Sequence, residues 1–119
     1  MQERSIDYLE GIIFNMKLLY NITTRVDHSV VDEWKTYMTT YFIPAMMSTD
    51  CFDSYKMMRI LGDPEEDGET FAVQYVAHNL NAFVTYQENH MPKLQSQTRE
   101  MFQDKALSFK TLMEIHQES

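Results

Sequence analysis

The chain is short of the residues that punctuate or cross-link a fold. Its 119 residues include one cysteine, three glycines and three prolines. A lone thiol, Cys51, cannot close an intrachain disulfide, and no Cys/His ladder carries zinc spacing. So little Gly and Pro excludes collagen-like and loop-rich designs. Long hydrophobic runs are missing as well: no window reaches the about 18 uninterrupted apolar residues that a membrane span needs. Basic side chains are the minority, 10 Lys and Arg against 18 Asp and Glu, for a formal net charge of −8. That balance, with no aromatic-basic pattern, counts against a nucleic-acid module, which ranks third among the readings, and the missing apolar run means that no membrane is an expected partner. A Gly-rich phosphate loop, a Ser-His-Asp motif and H-E-x-x-H are absent too, and no cofactor or metal is expected.

What remains is a core. With 44% hydrophobic residues, the chain is one domain's worth, and at this size roughly two-thirds of the unfolded surface leaves water on folding. Glu3, Asp7 and Glu10 put acid where a signal peptide carries basic residues, and a single thiol suits a reducing compartment, so cytoplasmic residence is expected. Residues 1–15 read as an N-terminal extension, an upstream start or a short helix on Ile6, Leu9 and Ile13, outside the core. Residues 16–119 read as the single domain.

Within that domain the apolar period switches repeatedly. KLLYNITTRV alternates, with Leu18, Tyr20, Ile22, Thr24 and Val26 on one face and Leu19, Asn21, Thr23 and Arg25 on the other, which predicts a strand. DHSVVDEWKTYMTTYFIPAMM predicts a helix with Asp27 or Ser29 as cap and Ser29-x-x-Asp32 at capping-box spacing. Val30, Trp34, Met38, Tyr41, Phe42 and Ala45 form its apolar stripe, and Pro44 predicts a kink or stop near Ile43. CFDSYKMMRIL and TFAVQYVA predict a hairpin whose tip, GDPEEDGE, is acidic and solvated. In the first of these strands, Tyr55, Met57, Arg59 and Leu61 oppose Phe52, Ser54, Lys56, Met58 and Ile60. Asn79 caps a second helix that Pro92 kinks or divides, and LSFKTLMEI is the last strand. The order β-α-β-β-α-β is the ferredoxin-like, split βαβ signature: an α+β fold with an antiparallel four-stranded sheet and both helices on one face.

DHSVVDEW, FIPAMMSTDCFDSYKMMRIL, TFAVQY, ENHMPKL and FKTLMEI together resemble a small family of uncharacterised bacterial proteins. That family is a domain of unknown function placed near the dimeric α+β barrels, and the likeness covers roughly residues 16–116. The resemblance implies a ferredoxin-like protomer pairing through its open sheet face, with no established activity to carry over. The N-terminal extension departs from the family pattern.

The strand patterns point the same way. Apolar residues on both faces of the second and third strands leave a patch too large for a lone soluble chain, and a two-fold homodimer through the open face would cover it. A monomer whose extension covers that face is the alternative. Asn21 and Arg25 on the first strand, Gln74 on the third and Lys110 on the fourth would then form a polar patch in an apolar cavity, the usual construction of a small-molecule pocket. Tyr55 and Arg59 on the second strand join them as binding candidates. The alternative is that Arg25 and Lys110 pair with Glu114 or across the interface.

Asn21, His78 and His90 are the catalytic candidates. Antibiotic-biosynthesis monooxygenases and haem-degrading enzymes of the dimeric α+β barrel class use Asn, Trp and His around such a cavity. Asn21 and His78 or His90 match that set in type, whereas Trp34 falls in an apolar stripe. Two readings therefore stand: a small-molecule-binding or interaction module, and a cofactor-free monooxygenase or isomerase with Arg25 as anion anchor. Cys51, flanked by aspartates, reads as inert packing.

Overall fold

The computed structural model describes residues 15–61 and 67–119. Four strands, β1 (Leu18–Asp27), β2 (Phe52–Arg59), β3 (Gly68–Ala77) and β4 (Ala106–Glu114), form one antiparallel sheet in the order β2-β3-β1-β4. Between β1 and β2 lie α1 (Val31–Tyr37), a π-helical turn (Met38–Phe42) and α2 (Ile43–Met47). Between β3 and β4 lie α3 (Leu80–Asn89) and α4 (Met91–Phe102). This is the expected ferredoxin-like order. The reading of the N-terminal extension and of most of the hairpin tip lies outside the described residues.

β1 is central, and its alternation decides the layering. Leu18, Tyr20, Ile22, Thr24 and Val26 are buried beneath the helices, while Leu19, Asn21, Thr23 and Arg25 face the other way. Phe71, Val73, Tyr75 and Ala77 continue the helix-side layer on β3. Trp34 packs on Phe71 with ring centroids 5.0 Å apart, so it is core, as its stripe predicted. Tyr20, Phe52, Tyr75, Phe83 and Tyr86 make a second aromatic cluster, its closest pair Tyr20 and Phe83 at 4.9 Å. Cys51 is buried beside it.

Three local details differ from the sequence reading. Asp27 alone caps the first helical segment. Its carboxylate accepts from the backbone N–H of Ser29 at 2.9 Å and from the Ser29 hydroxyl at 2.7 Å. Those bonds hold its pKa below the usual value. A 3-10 turn (His28–Val30) intervenes before α1, so Ser29 is too far upstream to close a box with Asp32.

Pro44 neither stops the chain nor kinks it into a loop. Having no N–H, it interrupts the ladder, and the helix widens by one residue, the Ile43 N–H bonding to the Met38 carbonyl. The Thr39 and Thr40 hydroxyls donate to the Lys35 and Thr36 carbonyls at 3.0 and 2.6 Å on the same turn, a habit of helix-interior threonines that favours such distortion.

β2 carries a bulge, since Phe52 pairs with Ala77 but Ser54 pairs with Val76. The extra residue, Asp53, shifts the phase of the strand. Phe52 thereby joins Tyr55, Met57 and Arg59 on the helix side instead of opposing them.

Candidate functional site

Among the described residues, one sheet face carries the helices and the other is uncovered. The register places Lys56 of β2 opposite Gln74 of β3, Gln74 opposite Asn21 of β1, and Asn21 opposite Thr111 of β4. Cross-strand partners share a face, so these four side chains form a polar row across the middle of the open side. Asn21 donates from its Nδ2 to the Thr23 hydroxyl at 2.8 Å, which fixes its amide along the strand.

Apolar rows flank it. Val76, Leu19 and Met113 lie on one side, and Met58, Ala72 and Phe109 on the other, with Thr23 between them. Leu107 and Phe109 are 59% and 66% exposed, large values for such side chains in strands. The apolar surplus expected on this face is therefore real, supplied by Met58 of β2, Ala72 and Val76 of β3, Leu19 of β1 and the exposed residues of β4, whereas Phe52 is core.

The candidate residues separate into three groups. Asn21, Gln74 and Arg25 share the open face as anticipated, Arg25 lying one row beyond Thr23 opposite Thr70 and Leu107. Lys56 and Thr111 complete the row and were missed, because only the register could align them. Lys110 is a correction: it pairs with Ile22 and stands on the helix side, with the sheet between it and Asn21. Tyr55 and Arg59 also lie on the helix side, at the β2 edge, where Arg59 forms an ion pair with Glu69 at 3.2 Å.

The two histidines are not drawn together. His78 stands at one end of the sheet, its Nε2 2.7 Å from the Asp50 carbonyl and its Nδ1 against the Asp53 carboxylate. The Asp50 carbonyl, then Asp53, raise its pKa above the ordinary 6.5. The side chain thus ties the turn after β3 to the bulge of β2. His90 occupies the break between α3 and α4, its N–H bonded to the Tyr86 carbonyl at 2.9 Å. It lines a shallow hollow with Tyr41, Ser48, Thr49 and Lys93 on the outer side of the helices, remote from the open face. Among the described residues no group of three or more His, Cys, Asp or Glu is gathered as a metal site would require. No helix among them is long and apolar enough to cross a membrane.

The helix side holds a further feature. A cleft of about 250 Å³ opens between α4 and β4, walled by Gln95, Thr98, Arg99, Gln103, Ser108 and Lys110 over a floor of Ile22 and Phe42.

An antiparallel sheet in this order, with the helices on one face, defines a ferredoxin-like α+β protein. The chain belongs to the family described as Domain of unknown function (DUF4286), whose family model matches residues 17–116. Solved structures show the same architecture at low identity. An EthD-family protein from Bacillus halodurans is 13% identical, with 82% of this chain and 98% of that chain covered and a TM-score of 0.62. A mutant of SnoaB, a cofactor-independent oxygenase from Streptomyces nogalater, is 12% identical over 85% of this chain and 95% of its own, with a TM-score of 0.62. A dimeric ferredoxin-like protein from an uncultured marine organism is 13% identical over 87% and 99%, with a TM-score of 0.60. No curated protein matches the sequence.

Proposed function

We propose that the protein is a homodimer that closes its two open sheet faces over a small molecule, and that the Lys56–Gln74–Asn21–Thr111 row supplies the hydrogen bonds to it. The observation carrying this reading is the row itself, four polar side chains in register between apolar rows on an uncovered face. Apolar walls with a few convergent polar groups are the general construction of a ligand pocket. A structural relative that is itself dimeric supports the pairing.

Native mass spectrometry tests it. The expected species is twice the 14.1 kDa chain mass plus a small adduct. A variant combining Asn21→Leu and Gln74→Leu keeps the dimer and loses the adduct. A monomer, or an adduct retained by that variant, refutes the reading.

A second reading is a cofactor-free oxygenase or isomerase using Asn21 with His78 or His90 and Arg25 as anion anchor. Its support is the fold shared with a cofactor-independent oxygenase. The distance of His90 from the open face and the engagement of His78 by Asp53 weigh against it. Turnover lost in both Asn21→Ala and His78→Ala, with folding intact, would favour this reading instead.

A further inference from the structure

The geometry points to a second ligand site in the cleft between α4 and β4, one that takes a small carboxylic acid with an apolar body. This site is on the helix side of the sheet and does not depend on the dimer.

Four side chains able to donate hydrogen bonds line it. Arg99 and Gln95 project from α4, Gln103 from the turn that follows it, and Lys110 from β4. None makes a side-chain hydrogen bond or ion pair among the described residues, and no Asp or Glu lines the cleft. The neighbouring hydroxyls are already committed: Tyr37 donates to Thr98 at 2.9 Å, and Ser108 pairs with Thr24 at 2.7 Å. In a chain of net charge −8, two cations aimed into one cavity with no acid beside them are an anomaly. Partial burial, and then repulsion from the Arg99 charge, depress the Lys110 pKa.

An oxyanion would relieve that repulsion. A guanidinium and an ammonium give charge-assisted bonds, and the two amides can donate to its remaining lone pairs. The floor argues for carbon beneath the charge, since Ile22, Phe42 and Ala106 offer no polar side chain. A volume of about 250 Å³ suits a ring or short chain bearing one carboxylate. Gln103 lines the cleft where α4 ends, with a φ of 52°, a left-handed conformation that a glutamine rarely adopts.

Benzoate is the probe, titrated into the full chain and followed by amide chemical shifts, with benzamide and inorganic phosphate as controls. Benzoate is expected to give saturable shifts at Ser108 and Lys110 and to raise the Lys110 pKa, read from its side-chain carbon signal. Lys110→Met and Arg99→Gln should each weaken binding by roughly tenfold or more while the rest of the spectrum stays native. Benzamide, lacking charge, and phosphate, lacking an apolar body, should bind more weakly than benzoate. Absence of saturable shifts, unchanged affinity in both variants, or phosphate binding as tightly as benzoate would each overturn the assignment. Persistence of benzoate binding in a monomeric Phe109→Glu chain separates this site from the open face, and its loss there would also overturn the inference.

Discussion

Replacing Phe109 by Glu decides whether the open sheet face is the interface. The ring is 66% exposed in the protomer, so its removal leaves the core of the single chain intact. If a second copy covers it, about 130 Å² of apolar surface per chain is at stake, worth up to ~3 kcal/mol at about 25 cal/mol per Å². A two-fold interface counts every substitution twice. The dimer should therefore weaken by up to ~6 kcal/mol, about four orders of magnitude in dissociation constant, before the added repulsion between carboxylates. Sedimentation velocity at micromolar concentration should show the native chain as dimer and Phe109→Glu as monomer, with urea stability of the monomer within about 0.5 kcal/mol of expectation for a surface change. Met101→Glu is the control, a side chain 51% exposed on α4, and it should stay dimeric. A dimeric Phe109→Glu, or a monomeric Met101→Glu, would show that the chains pair elsewhere.

Three further outcomes follow from individual side chains. The Tyr75 hydroxyl is buried with no hydrogen-bond partner among the described residues, and burial raises its pKa. Tyr75→Phe should therefore stabilise the fold by about 1 kcal/mol in urea unfolding, and a loss of similar size would reveal an acceptor. Gln103→Gly, which removes the steric objection to a φ of 52°, should gain up to ~1 kcal/mol; an unfolding midpoint below that of the native chain would contradict the strain. His78 has its folded pKa raised above 6.5 by the Asp50 carbonyl and Asp53, so its contribution is complete below pH 6.5 and fades as pH rises through the raised value. Because the ring is largely exposed, that contribution is under about 1 kcal/mol, and His78→Asn should flatten the pH profile of stability over that interval, whereas an unchanged profile would mean that the contact carries no charge-dependent energy.

The sequence was most informative where one strand face is buried and the other is not. The alternation of β1 announced both its strand and its layering, because a central strand with Tyr20 and Ile22 inward leaves Asn21 and Arg25 nowhere else to point. The α3 cap was equally legible: Asn79 accepts from the Ala82 N–H at 2.8 Å, a local bond needing no tertiary information. Elsewhere the deciding event was non-local. Lys110 was grouped with Asn21 because both are polar members of their strands, yet the pairing sets Thr111 beside Asn21, and a shift of one residue exchanges every face. The site row was invisible for the same reason, since Lys56 and Thr111 acquire meaning only from their neighbours. At Pro44 the ambiguity was physical: a missing N–H can end a helix or widen it, and the packing of Phe42, Ile43 and Met46 into the core favours widening.

The bulge at Asp53 makes chain length itself a carrier of information. Upstream of it, Phe52 is written in one phase, and downstream Tyr55 and Met57 are written in the other, so that all three reach the same layer. Excising that single residue would leave the composition almost untouched and yet force a choice. Either Phe52 would be turned out of the core, or the whole downstream strand would be inverted, taking Lys56 out of the polar row. The residue spared from the ladder is also the one that grips His78, so the same deletion would untie the sheet end. A family member one residue shorter here would have to rewrite the alternation of the strand to keep the same two surfaces.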